Sequence, residues 1–187
     1  HDLYIKQLTK AIGELTKKYN TNVLLVPMHM DESDSDLAHL VRDHSARPEA
    51  VRVLDKDSLS PSELRSVIAR AKAMIGFRLH SNIIGISAGV PSVNIYYVDK
   101  GRVFFDQINQ SRFAMPIEAV LETDFIDKLL TTFDDLYTQR TEVNQEITQD
   151  AECRHSRAEA KSFSLIPRHV WPACTMKVLS AGHHNWL

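Results

Sequence analysis

The sequence predicts an α/β domain built on a parallel sheet with helices on both faces. Short apolar runs at 22–27, 50–54, 73–77 and 92–97 alternate with stretches of helical periodicity. The first run, Asn22-Val23-Leu24-Leu25-Val26-Pro27, is continuously apolar, which is the pattern of a parallel strand covered on both faces. The sustained order strand, helix, strand, helix implies right-handed crossovers between neighbouring parallel strands.

Each element has its own local signal. Ile5, Leu8, Ile12, Leu15 and Tyr19 recur at helical spacing, with Asp2 placed to cap the start and Asn20 to end the helix. The acidic stretch from Asp31 to Asp36 reads as a loop that ends in a cap at Asp36, because Leu37, Leu40 and Val41 follow at helical spacing. Ser60-Pro61-Ser62-Glu63 combines an N-cap serine, a proline at the first helical position and a glutamate at the third, a capping box that explains Glu63 better than catalysis does. That helix continues through Leu64, Val67, Ile68 and Ala71. A short helix is expected from Ser81 to Ala88, and Gly89-Val90-Pro91 introduces the fourth strand. From Asp124 a helical pattern runs through Phe125, Leu129, Phe133 and Leu136, turns polar beyond Arg140, and is expected to pack across the domain. Residues 1–150 form one domain on this reading, and residues 151–187, with both cysteines, both tryptophans and four of the nine histidines, form an irregular tail.

Composition narrows the functional classes. A chain of 187 residues with 43% hydrophobic content can bury an adequate single core. With 22 basic against 24 acidic residues, no global field points to nucleic acid, so any anion site must be local. No stretch approaches the roughly 20 apolar residues of a membrane-spanning helix, and no basic segment followed by an apolar core opens the chain. A cytoplasmic location follows as the simplest expectation. The run Asp31, Glu32, Asp34, Asp36 lacks the glycine and distal glutamate of a calcium loop. Cys153, His155, Cys174, His183 and His184 lack zinc-ligand spacing, so neither a metal nor a cofactor is expected. The chain opens on His1, directly before helical periodicity and with no preceding strand, and is read as the C-terminal part of a longer protein.

Ligands of parallel α/β sheets gather outside the carboxyl ends of the strands, here the turns after Pro27, Phe77 and Tyr97. After Phe77 the chain places Arg78 and His80 two residues apart, just before a helix. A helix N-terminus offers unpaired N–H groups and partial positive charge to a phosphate or carboxylate, and arginine adds a fork that matches such groups bidentately. Spacing alone equally allows Arg78 to pair with a structural carboxylate and His80 to cap the helix.

The surrounding residues break that tie. Met74-Ile75-Gly76-Phe77-Arg78-Leu79-His80-Ser81, then Ala88-Gly89-Val90-Pro91, then Ile95-Tyr96-Tyr97-Val98-Asp99-Lys100 together resemble the C-terminal signature of polysaccharide pyruvyl transferases. The resemblance is clearest over residues 60–105, weaker over 1–150, and does not reach the tail. It implies a Rossmann-like domain similar to one half of a GT-B fold, the donor-side C-terminal half, inactive without its partner half. The implied reaction takes phosphoenolpyruvate and a sugar diol, free or lipid-linked, to a pyruvate ketal and inorganic phosphate in surface-polysaccharide biosynthesis. The enzyme would work in the cytoplasm or at the inner membrane face.

The same resemblance assigns Arg78 to the donor phosphate or carboxylate. It assigns His80 to phosphate binding and to a general acid, a role suited to a side chain whose ordinary pKa is about 6.5. The Ser81 and Asn82 amides are expected on the same anion. Lys100 either approaches that crevice or is a solvated loop lysine, and His29, in a Pro-x-His turn, either reaches the cleft or is exposed. The open apolar face of a missing partner half implies self-association or a tail folded over it. Two other classes stay in view: a glycosyltransferase of the same architecture that binds a nucleotide sugar, and a non-catalytic binding module of the same fold.

Overall fold

The computed structural model describes residues 2–28, 33–54, 59–148 and 175–180, the last six and Ser33 by backbone alone. Six strands form one sheet: β1 (Thr21–Val26), β2 (Val51–Val53), β3 (Ala73–Gly76), β4 (Ser92–Tyr96), β5 (Ala114–Pro116) and β6 (Thr175–Ser180). Among the described residues seven α-helices surround it: α1 (Asp2–Lys18), α2 (Ser33–Asp43), α3 (Pro61–Ala69), α4 (Leu79–Ser87), α5 (Asp99–Gln107), α6 (Phe125–Thr138) and α7 (residues 140–148). The sheet order is β2-β1-β6-β3-β4-β5.

All four anticipated runs are strands. β1 pairs in parallel with β2, β3 with β4, and β4 with β5. β6 is the exception, since it runs antiparallel to both β1 and β3 and lies between them. Residues 175–180 were expected in an irregular tail, and they form this strand instead; Cys153, Cys174 and the tail's histidines lie outside the described residues. Chain order runs outward in one direction from β1 to β2 and in the other from β3 to β5, so the order reverses between β1 and β3, where crevices for ligands form. Thr175, the first residue of β6, pairs with Val26 and Gly76 and so sits at the carboxyl edge of that interval.

Strand alternation divides the core. Val23, Leu25, Ala73, Ile75, Val93 and Ile95 pack with α1, α2, α5 and α6 in one cluster built around Leu15, Phe105, Phe125 and Phe133. Leu24, Val26 and Met74 face the opposite way, toward Ile68 and Leu64 of α3 and Ile84 of α4. Each fully buried large apolar side chain contributes about 1.5–3 kcal/mol, so the larger cluster dominates the stability. On the smaller face β4 presents Ser92 and Asn94, both buried and polar, where strand alternation would place apolar side chains.

Local chemistry sets the ends. The capping box is complete: Ser60 Oγ accepts from the Glu63 amide, and Glu63 Oε2 accepts from the Ser60 amide at 2.8 Å. The Ser60 hydroxyl, which donates to Glu63 Oε2 at 2.6 Å, and then the Ser60 amide hold the Glu63 carboxyl below its ordinary range. Asn20 ends α1 with φ +44°, a left-handed conformation that asparagine tolerates. α2 starts at Ser33 and not at Asp36, so Asp34 and Asp36 lie in its first turn, where negative charge complements the helix dipole. α5 and β5 carried no clear sequence signal and complete the sheet. α6 crosses to α1 as expected, and its Asp134 accepts hydrogen bonds from Lys18 and from the Tyr19 hydroxyl. Among the described residues no helix is long and apolar enough to cross a membrane, and none of their acidic, histidine or cysteine side chains cluster as a metal site.

Candidate functional site

The turn between β3 and α4 lies at the carboxyl edge of the sheet, beside the reversal of strand order. β3 ends at Gly76, Phe77 packs edge-on against Tyr4 of α1, and Arg78 is the N-cap of α4 in extended conformation, with φ −127° and ψ 148°. The first intrahelical bond runs from the Asn82 amide to the Arg78 carbonyl at 3.2 Å. The amides of Leu79, His80 and Ser81 precede it and are the donors that a helix start leaves open. The open set therefore begins earlier than the sequence suggested, because the Asn82 amide is spent inside the helix.

Asn82 and Ser81 hold the turn from beneath. Both side chains are fully buried. Ser81 Oγ donates to the Arg78 carbonyl at 2.7 Å, and Asn82 Nδ2 donates to the same carbonyl at 3.0 Å and to the Gly76 carbonyl at 3.3 Å. A Cβ on residue 76 would overlap the Asn82 amide group, which is why glycine ends this strand. Asn82 Nδ2 also donates to Asn94 Oδ1 at 3.0 Å, and Ser92 Oγ donates to Asn82 Oδ1. Asn94 Nδ2 in turn donates to the Gly101 carbonyl in α5 at 3.0 Å. Every polar atom of the two asparagine side chains has a partner, which is what makes their burial tolerable.

Above this network Arg78 is half-buried and His80 is exposed. The Arg78 guanidinium lies over the ring of Tyr97, with Cζ 5.5 Å from the centroid and Nη1 3.4 Å from the hydroxyl. Tyr97 therefore belongs to the site. Its signal in the sequence was the Tyr-x-x-Lys spacing to Lys100, which gave it no role of its own. Lys100 is exposed in the first turn of α5, so it is a helix residue and not a loop lysine. His29 lies outside the described residues. The structure thus joins Arg78 with Tyr97 and places His80 and Lys100 at the starts of two helices that follow neighbouring strands.

Two clefts open elsewhere. One of about 860 Å³ between α1 and α2 is lined by Lys6, Lys10, Lys17, Leu40 and Arg47 among others, and one of about 530 Å³ by Lys72, Gly89 and the polar side of α7. Neither is lined by Arg78 or His80. The smaller cleft has Arg140 at the start of α7 in its wall, but neither cleft lies at the carboxyl edge of β3 and β4. The β3–α4 turn lies at that edge and sets the Arg78 side chain and three open amides at one helix start.

Residues 1–99 match the family model described as polysaccharide pyruvyl transferase. The match covers the N-terminal region of this chain, including Arg78, His80 and Tyr97, and stops one residue before Lys100. It does not show that the chain is the C-terminal half of a longer enzyme. No curated protein and no solved structure matches.

Proposed function

We propose that this chain, which belongs to the polysaccharide pyruvyl transferase family, binds phosphoenolpyruvate at the β3–α4 turn and serves its transfer to a saccharide acceptor. The observation that carries the reading is that Arg78 is the N-cap directly before three open amides of one helix start, inside the stretch that matches the family. Phosphoenolpyruvate carries a carboxylate and a phosphate, and both need cationic or N–H partners.

In this reading Arg78 takes one of the two anionic groups through its fork, and the Leu79, His80 and Ser81 amides take the other charge. Tyr97 covers one face of the guanidinium and limits where it can point. One acceptor hydroxyl adds to the central carbon of the enol while the methylene carbon takes a proton. The second hydroxyl then displaces inorganic phosphate, which closes the ketal. His80, exposed at the head of α4, is the proposed proton donor. Lys100 at the head of α5 is the proposed second cation. The acceptor is a sugar diol of a surface polysaccharide or its lipid-linked precursor, met on the cytoplasmic side, where phosphoenolpyruvate is available.

Self-association belongs to the same reading, because Tyr97 and Val98 are 49% and 45% exposed beside the site and leave apolar surface for a partner. The direct test is titration of this chain with phosphoenolpyruvate and, separately, with nucleotide diphosphate sugars. Saturable binding of the first alone supports the donor assignment. Binding of the second alone would assign a glycosyl donor, and binding of neither would leave a non-catalytic module.

A further inference from the structure

The buried asparagines have no place in donor binding itself, yet their arrangement is specific. Asn94 stands in the middle of β4 at 1% exposure, in a strand otherwise made of Ser92, Val93, Ile95 and Tyr96. Asparagine is a poor strand residue, and an apolar side chain of the same shape could fill the position without needing partners. What Asn94 provides is two bonds in opposite directions: Oδ1 accepts from Asn82 and Nδ2 donates to the Gly101 carbonyl, each at 3.0 Å. Asn82 holds the Arg78 carbonyl, and Gly101 belongs to the helix turn that directly follows Tyr97. Two glycines are shaped to the link. A Cβ at residue 76 would overlap Asn82, and one at residue 101 would come within 2.8 Å of Tyr96 Cβ and 3.4 Å of Asn94 Nδ2.

We propose that Asn94 is a positioning residue that sets the start of α4 against the start of α5, and so holds Arg78 against Tyr97. It touches neither side chain and acts through Asn82 on one side and Gly101 on the other. Its effect on donor binding rests on the reading of the Arg78 turn given above, whereas its effect on the Arg78–Tyr97 contact does not. The link spans two crossovers, so each helix start is fixed to its neighbour as well as to its own strand. Asn94→Leu isolates the role well. Asn82 Nδ2 keeps the Gly76 and Arg78 carbonyls, and the Gly101 carbonyl lies within α5, whose own ladder can use it, so few polar groups are orphaned.

The experiment has a ligand-free arm and a ligand arm. In the first, NMR cross-peaks between the Arg78 side chain and the Tyr97 ring are recorded for the parent chain, for Asn94→Leu, and for the remote control Asn144→Ala. We expect the cross-peaks in the parent and the control and their loss in Asn94→Leu, with a melting temperature within about 5 °C of the parent. In the second, phosphoenolpyruvate affinity should fall about tenfold in Asn94→Leu but change little when the same substitution is added to Arg78→Ala, because the two act through one contact. If Asn94→Leu does not fold, Gly101→Ala attacks the same link from the other side and should lose the same cross-peaks. Cross-peaks retained in the folded variant, or absent from the parent, overturn the proposal. Cross-peaks lost as expected in a parent that binds no phosphoenolpyruvate would uphold the positioning role and reject the donor assignment alone.

Discussion

Arg78 and Tyr97 meet across the carboxyl edge of the sheet although they stand 19 positions apart, with the guanidinium carbon 5.5 Å from the ring centroid. The pair joins the β3–α4 turn to the β4–α5 turn above the buried asparagines. Cation–π contacts at exposed sites are worth about 0.5–1 kcal/mol, enough to bias a flexible arginine without immobilising it. Tyr97→Ala should therefore weaken phosphoenolpyruvate binding about three- to fivefold, and Tyr97→Phe, which keeps the ring, should do less. Calorimetric titration of the three proteins checks this, and equal losses in both variants would move the effect from the ring to the hydroxyl.

Gly76 tests whether the floor of the site is as tight as the geometry requires. A methyl group there would overlap the Asn82 side chain, which is itself tied to four partners. Gly76→Ala should destabilise the protein by about 1–3 kcal/mol through overpacking, read by urea unfolding. Gly13→Ala is the control, since its Cβ would meet only Ala46 Cβ at an ordinary 3.5 Å.

The junction of α1 and α6 gives a pH signature. Burial pushes the Asp134 carboxyl up, but the hydrogen bonds from Lys18 and Tyr19 outweigh it and hold the group below its ordinary 3.8. A carboxyl depressed in the folded state contributes stability above its unfolded pKa and loses it as pH falls through the folded value. Asp134→Asn should thus lower stability at neutral pH by no more than about 1 kcal/mol, because the pair is partly exposed and screened. The difference from the parent should shrink as pH falls from the ordinary carboxyl range through the lower folded value, below which the parent's carboxyl is protonated too. Tyr19 behaves in the opposite sense: burial first, then Asp134, raises its hydroxyl well above the usual range, so its contribution is lost only in strong alkali. Chemical unfolding from pH 2.5 to 8 measures the acid limb, and a gap that persists at the lowest pH would show that Asp134 acts by packing instead.

The α3 start supplies a stability reference outside the site. Ser60→Ala removes the acceptor for the Glu63 amide and the hydroxyl that donates to Glu63 Oε2, while the backbone half of the box stays, at a cost of about 1 kcal/mol. Donor affinity should not change. A loss of binding in this variant would mean that stability, and not the turn, sets the affinity measured in the others.

The local signals in the sequence and the long-range ones fared differently. Runs such as Val23 to Val26 and the Ser60-to-Glu63 box state their structure within a few residues, and the structure follows them closely. Asn82 shows where such reading stops: its amide is expected to be open with the helix placed from Ser81, but α4 starts at Leu79 and spends that amide on the Arg78 carbonyl, while the side chain is buried by packing onto β3 and β4 that no local pattern encodes. A signal was available in Asn94, a polar residue breaking an apolar strand two places after another, Ser92, and such interruptions mark buried networks. α5 was missed because Gly101 and the exposed Val103 blur its periodicity. β6 was missed because its partners lie about 100 to 160 residues away, beyond anything turn chemistry or periodicity can report.

The central claim is that the β3–α4 turn binds the donor through Arg78, and the measurement that meets it most directly is phosphoenolpyruvate affinity and turnover in the intact protein carrying Arg78→Ala, Arg78→Lys or His80→Gln. Loss of the guanidinium should cost on the order of 2–5 kcal/mol of donor-state stabilisation, and lysine should restore only part of it because the bidentate fork is gone. His80→Gln should bind the donor with a smaller loss yet turn over far more slowly if the imidazole supplies the proton. Thermal stability should change little in all three, since Arg78 and His80 stand above the network and not within the core. If Arg78→Ala left both affinity and turnover unchanged, Arg78 would be a structural residue and the donor site would lie elsewhere.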